Sequence, residues 1–236
     1  MIKTMLEKRP IAVILLLLFF AVAAAVITVG IQEKAVEAAG NELGRTLVLD
    51  PGHGGFDGGA VSDDGTRESD LNLSIAGKTR LIAELLGQKT IMTRENDSAR
   101  TDFASYSEHE DLVHRVKIIN QTPGAVLMSI HQNTFPSSRP RGPQVLYASD
   151  DVSRQMGCFF QELLASCLLP ESRRVAAPAG REIYILNHVR CPAILVECGF
   201  LSHPEEAAAL EKAEYQKKLA VILAGGFLKF TGDESV

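Results

Sequence analysis

The chain has 236 residues, 46% of them apolar, a formal net charge of -5 and four cysteines. That length and apolar content suit one α/β domain with a short appendage and argue against disorder over most of the chain. The acidic balance, with no Lys/Arg stripe interleaved with aromatics, argues against nucleic acid as a partner.

Residues 11–31 form an uncharged, almost wholly apolar run, preceded by Lys3, Lys8 and Arg9 and followed by Glu33 and Lys34. At about 1.5 Å per residue a helical run of this length crosses a hydrocarbon core of about 30 Å. The basic flank leaves the N-terminus in the cytoplasm and places the rest outside. A cleaved signal peptide is the rival reading, because Ala21, Ala23, Ala24 and Ala25 offer small residues for a cleavage site. The length of the run favours an uncleaved membrane anchor, and both readings export the remainder of the chain, the second as a secreted protein. Residues 1–32 are therefore assigned to an anchor or signal segment, 33–44 to a polar, alanine-rich connector and 45–232 to one domain.

Thr46 to Leu49 reads as a strand that Asp50-Pro51-Gly52 ends, leaving His53 just beyond it. Gly52, Gly54, Gly55, Gly58 and Gly59 strip the bulk around that histidine, so an ion or substrate can approach the backbone. Asp70 to Leu86 carries Leu71, Ile75, Ile82 and Leu85 at mostly helical spacing, with Gly87 at the C′ position and Glu68 in or just before the first turn. Lys89 to Arg94 reads as the next strand, which completes a βαβ unit. A polar surface loop follows over Glu95 to Glu110, then a helix from Asp111 to Gln121. Ala125 to Ile130 reads as a buried strand ending at His131-Gln132-Asn133. Beyond it, Gln144 to Ala148 is expected to be a strand, Val152 to Leu169 a helix and Glu182 to Leu186 a short strand. Ala193 to Val196 is a buried strand ending in Glu197-Cys198-Gly199. Two helices close the chain, Pro204 to Lys212 with Ser202 as candidate N-cap, and Glu214 to Phe230. The alternation predicts a single α/β domain, a twisted mixed, largely parallel sheet flanked by helices.

Free, buried thiols are the plain expectation for the cysteines, with pairing between the two groups left open. Cys158 and Cys167 share one predicted helix, nine positions and roughly 13 Å apart, and Cys191 and Cys198 bracket one strand. Neither pair meets the Cα separation of about 4.4–6.8 Å that a disulfide needs. No C-x-x-C spacing is present, so cysteine ligation of zinc is not expected.

Three strand ends thus bring His53, His131 and Glu197 to one rim, with Glu68 beside them. Two histidines and one carboxylate are a common set for catalytic zinc, which leaves one coordination position open. His53, Glu68 and His131 are assigned as metal ligands to Zn2+ and Glu197 as the base of an amide or ester hydrolase. Glu197 as a fourth ligand of a closed structural site is the alternative. The H-E-x-x-H helix is absent, so the ligands must come from separate segments. Singly, each residue has a plainer role: a histidine satisfied by hydrogen bonds, Glu68 favouring a helix N-terminus, or a glycine loop cradling phosphate. GHGGFDGG matches neither G-x-G-x-x-G nor the Walker pattern, however. His188 and His203 flank the final strand and are the remaining histidines expected nearest the rim. Arg115 is expected to pair with a carboxylate across the helix–strand layer.

Four blocks, LDPGHGGFDGGAV, ESDLNL, SIHQN and PAILVECGFLSHPEE, with TRENDS and HRVKIIN as weaker ones, carry a resemblance over about residues 45–230. By these the chain resembles the zinc-dependent N-acetylmuramoyl-L-alanine amidases of the amidase-3 type. The resemblance implies cleavage of the amide between N-acetylmuramic acid and L-alanine in peptidoglycan. It also implies zinc on His53, Glu68 and His131, with Glu197 catalytic. One catalytic domain with an N-terminal anchor and no wall-binding repeats is similar to the sporulation members of that family. That layout implies spore-cortex remodelling toward muramic-δ-lactam. Peptidoglycan and the membrane are the implied partners, and an activator protein is left open. Rival functions are a catalytically silent wall-binding module and another zinc peptidase or deacetylase of the cell wall. The family often has asparagine where His203 stands and alanine where Gln132 stands.

Overall fold

In the computed structural model, residues 44–97 and 105–232 are described. The apolar run 11–31 and the connector up to residue 43 lie outside them. Among the described residues no helix is long and apolar enough to cross a membrane.

The elements follow in the order β1 (Thr46–Pro51), α1 (Glu68–Leu85), β2 (Thr90–Met92), α2 (Glu108–Gln121), β3 (Ala125–Asn133) and β4 (Gln144–Tyr147). Then come α3 (Asp151–Leu168), β5 (Ala177–Pro178), α4 (Tyr184–His188), β6 (Ala193–Phe200), α5 (Pro204–Leu210) and α6 (Ala213–Gly232). The six strands form one sheet in the order β2-β1-β3-β6-β4-β5. All neighbours are parallel except β4 and β6, which run antiparallel. The sheet is therefore mixed and largely parallel, as the alternation of elements predicts.

β1, β3 and β6 are buried on both faces, which explains their nearly unbroken apolar runs. Leu47, Leu49, Met128, Ile130, Ile194 and Val196 face a core completed by Ile75, Phe160 and Phe227 of α1, α3 and α6. The alternate residues Val48, Leu127 and Leu195 face a second core with Ile119 of α2 and Ile185 and Leu186 of α4. This two-residue alternation fixes register, since a slip of one position would exchange the two faces.

The caps follow ordinary chemistry. Ser107 accepts from the Glu110 amide at the start of α2, and Asp150 from the Ser153 amide at the start of α3. Gly87, with φ 84°, occupies the position expected of it beyond α1.

Four local expectations are corrected. Residues 182–186 do not form a strand: α4 covers Tyr184–His188. Ile185 and Leu186 are both buried in the second core, and a strand would send consecutive residues to opposite faces. The edge position belongs instead to Ala177–Pro178, too short and too proline-marked to be legible. Ser202 does not cap α5; its hydroxyl accepts from the Phe135 amide, and the N-cap is His203 without a side-chain bond. β1 does not end at Leu49 but continues through Pro51, paired with Ile130. Leu47 donates toward β2 and Gly52 toward β3, so the missing N–H of Pro51 faces the side where β2 has already ended. Likewise β3 and β6 run on to Asn133 and Phe200, so His131 and Glu197 sit inside their strands and not after them.

The thiols of Cys158, Cys167, Cys191 and Cys198 are free, but only Cys198 is buried; Cys158 and Cys167 lie on the exposed side of α3, against the expectation of burial.

Candidate metal centre and active site

His131 and Glu197 are register partners on β3 and β6, and the pairing slips between His131 and Asn133. His53 follows β1, and Glu68 opens α1. His53 Nε2 lies 3.3 Å from Glu68 Oε1, His131 Nδ1 lies 3.1 Å from the same oxygen, and the imidazole centroids are 5.0 Å apart. One ligand atom from each of the three residues lies within 4.8 Å of the others. The three residues assigned from sequence as metal ligands are thus brought together at the C-terminal edge of the central strands, where open α/β sheets bind ligands.

The backbone is shaped to allow this. His53 has φ 60°, a left-handed conformation uncommon for a residue with a side chain. A Cβ at Gly52 would overlap the His131 ring, and one at Gly59 would come within 2.6 Å of Glu68 Oε2 and 2.8 Å of the His53 ring. Those two glycines make the space in which the ligands converge.

Neighbouring groups orient each ligand. His53 Nδ1 is 2.7 Å from Asp57 Oδ2, a contact that turns Nε2 and its lone pair toward Glu68 and His131. Glu68 Oε2 accepts from the Ala60 amide at 2.9 Å, and Oε1 accepts from the Gln132 amide at 3.1 Å and from Asn72 Nδ2 at 3.3 Å. Burial disfavours the ionised form of Glu68, but the two histidines outweigh it and hold the carboxyl well below the usual carboxylate range. Burial likewise opposes charge on His53, yet the Asp57 and Glu68 carboxylates win and raise it to about 10. Without a metal the set therefore keeps a proton. A dication would displace that proton and neutralise the same carboxylates.

Glu197 differs. Its Oε2 is buried with no hydrogen-bond partner. Burial pushes its carboxyl up to about 7, aided by the Glu68 charge and opposed by His131 and His53. A carboxyl with one buried, unpartnered oxygen beside two imidazoles and an ionised glutamate fits a place where a cation belongs. The donor set, the glycine space and this orphan all suit zinc with an open position.

The cleft over these residues has a volume of about 330 Å³, and Tyr106 and Tyr184 are among the residues that line it. His188 stacks on Tyr184 at 3.8 Å and His109 meets the same ring edge-on at 5.2 Å. His203 sits at the α5 N-cap with Nδ1 buried and unpartnered. None of these three histidines belongs to the metal set. Arg115 pairs with Asp50 at 3.0 Å, the carboxylate across the helix–strand layer that its position predicts.

Sequence reasoning missed Asp57 and Asn72. Asp57 was findable, since a metal-bound histidine nearly always gives its second nitrogen to a carboxylate or carbonyl, and Asp57 is the acid in GHGGFDGG. Asn72 carried no such signal. It reads as one polar position of an amphipathic helix until its amide is seen to bridge Gly52 O, Glu68 and the Gln132 side chain.

Residues 47–228 match the model of the N-acetylmuramoyl-L-alanine amidase family. The chain is similar to the germination-specific N-acetylmuramoyl-L-alanine amidase of Bacillus subtilis, with 37% identity over 195 residues, 79% of this chain and 80% of that protein. It is also similar to the amidase LytC of the same organism, with 29% identity over 80% of this chain and 36% of LytC. Among solved structures, the CwlD amidase of Clostridioides difficile in complex with the GerS lipoprotein superposes with a TM-score of 0.74. Identity is 34%, over 80% of this chain and 98% of that one.

Proposed function

The chain belongs to the N-acetylmuramoyl-L-alanine amidase family and hydrolyses the amide between N-acetylmuramic acid and L-alanine in peptidoglycan, and from that premise we propose a zinc mechanism resting on His53, Glu68, His131 and Glu197. The observation that carries it is the convergence of the first three residues beside the unpartnered Glu197 oxygen. His53, Glu68 and His131 would hold the ion. Zinc in such a set supplies Lewis-acid activation of water and of the scissile carbonyl near neutral pH. Glu197 accepts a proton from the attacking water and delivers it to the nitrogen of the leaving L-alanine. Its raised pKa suits both steps, because a group that titrates near 7 gives up a proton as readily as it takes one. Tyr106 and Tyr184 border the space in which glycan and stem peptide lie.

The likeness to a germination-specific amidase supports a role in sporulation and germination, in which stem removal precedes muramic-δ-lactam in the spore cortex. Peptidoglycan lies outside the cytoplasm, so the domain works there. The apolar run 11–31 anchors it to the membrane, or releases it if cleaved. The similar CwlD structure holds a lipoprotein, and a lipoprotein is the class of accessory partner that this chain would take.

The test is digestion of purified cortex peptidoglycan with the zinc-loaded protein, followed by mass spectrometry of the muropeptides. Loss of whole stem peptides from muramic acid is expected. Loss of acetyl groups alone would point to a deacetylase, and intact stems after digestion with zinc bound would leave a wall-binding module.

A further inference from the structure

Two arginines outside the ligand set hold the backbone that leads into His53. The side chains of Arg94 and Arg115 are only 12% and 5% exposed. The Pro51 carbonyl accepts from Arg94 Nε at 2.9 Å and from Arg115 Nη1 at 2.7 Å. The Gly52 carbonyl accepts from Arg94 Nη2 at 3.1 Å, and the His53 carbonyl from Arg115 Nη2 at 2.5 Å. Arg94 Nη2 also reaches the Ser69 carbonyl at 2.8 Å, one residue beyond Glu68.

The topology explains why guanidinium groups are needed here. Thr93 donates to the Leu49 carbonyl at the end of β2, so the Pro51 carbonyl is next in that row and meets Arg94 where a strand would have been. A carbonyl buried without a donor is unfavourable, and three successive ones need donors set at fixed angles. A planar fork provides them, whereas an ammonium does not. Arg115 is itself fixed by Asp50 at 3.0 Å and Asp111 at 2.7 Å. The residue at the end of this row is His53, with its left-handed φ of 60°.

We infer that Arg94 and Arg115 are positioning residues of the metal centre, a clamp that holds His53 in its left-handed conformation at a fixed distance from Glu68 and so sets the affinity for zinc. The inference rests on the assignment of His53, Glu68 and His131 as ligands. Released from the clamp, His53 relaxes toward negative φ and turns its imidazole away from Glu68 and His131. Zinc must then reassemble the site when it binds.

The experiment uses the full-length chain, stripped of metal and titrated with zinc against a chromophoric chelator. Arg94→Lys and Arg115→Lys keep the charge and lose the fork. Each should bind zinc about 10–100-fold more weakly, the usual effect of removing a group that orients a ligand. At saturating zinc, kcat should return close to that of the parent, which general destabilisation of the active site would not allow. A folded Arg94→Lys chain with parental zinc affinity overturns the clamp. Arg115 is the more deeply buried, so Arg94→Lys decides alone if the Arg115 variant does not fold. A chain too unstable to titrate is read instead in the cold, by the rise of its unfolding midpoint on adding zinc, and a rise equal to the parent's again overturns the inference. His53→Ala runs alongside: parental affinity there would remove the ligand assignment itself, whereas weak binding there beside an unaffected Arg94→Lys removes only the clamp.

Discussion

Glu68 and Glu197 are carboxylates that a single cleft brings together, yet the first turn of α1 and the middle of β6 treat them in opposite ways. Around Glu68 every donor is turned inward: two backbone amides, the Asn72 amide and two imidazoles meet its oxygens, and the group stays ionised. Around Glu197 the cleft is lined by the apolar Leu195 and Ile185, one carboxyl oxygen has no partner, and burial pushes the group up to about 7. Pairs of titratable groups driven apart by their surroundings mark a division of labour, and in the proposed mechanism Glu68 would be the fixed ligand and Glu197 the exchangeable base. Glu68 is the more deeply buried residue, Glu197 being half-buried with one covered oxygen, so burial alone does not decide the outcome; the presence or absence of donors does.

The largest effect is expected on the ligand side. His131→Ala should lose zinc and slow hydrolysis at least about 10⁴-fold, since a Lewis acid contributes several kcal/mol to such a barrier. Metal analysis of the purified chain checks it, and stoichiometric zinc in a His53→Ala/His131→Ala double variant would remove both from the ligand set. On the other side, Glu197→Gln preserves shape and removes the basic oxygen. Zinc should be retained while stem cleavage slows by about 10²–10⁴-fold. Zinc lost together with activity would instead make Glu197 a fourth ligand of a closed site.

Asp57→Asn tests the support under the ligand side more gently. The Asp57 carboxylate is held below its ordinary range chiefly by its hydrogen bond to His53. Replacing it should weaken zinc about 10–100-fold, measured by chelator competition, with little change in the fold.

The smallest effect concerns stability in the absence of metal, and its sign differs between the two glutamates. A carboxyl depressed in the folded state, as in Glu68, contributes stability that is present above its unfolded pKa and is lost as pH falls through the folded one. A carboxyl raised from 4.5 to about 7, as in Glu197, takes stability away as pH rises between those values. With chelator present near pH 8, Glu197→Gln should therefore raise the urea midpoint, by the equivalent of about 1–3 kcal/mol, and Glu68→Gln should lower it. Equal shifts of the same sign would erase the contrast between the two regions.

How much of this was legible depends on the kind of order involved. The alternation of strands and helices, and the identity of His53, Glu68, His131 and Glu197, could be read along the chain. Burial on both faces writes itself as an unbroken apolar run, and a polar residue terminating such a run stands out. The short helix at residues 184–188 is not legible because five residues carry too little periodicity, and only the position of the second core makes it a turn of helix rather than the strand expected over 182–186. The exact strand ends also depended on neighbours: Pro51 stays in the sheet because β2 stops short of it, and His131 pairs with Glu197 because β3 and β6 run on together. The sequence by itself thus determined the class of fold, the residue types of the proposed metal site and the family of reaction, since those rest on local pattern and side-chain chemistry. Tertiary structure alone decided which partners hold them. Asp57 on His53, Asn72 across three segments and the guanidinium clamp on Pro51 to His53 all join atoms whose meeting depends on the path of the backbone in space, and the opposite titration of two like carboxylates depends on those same donors.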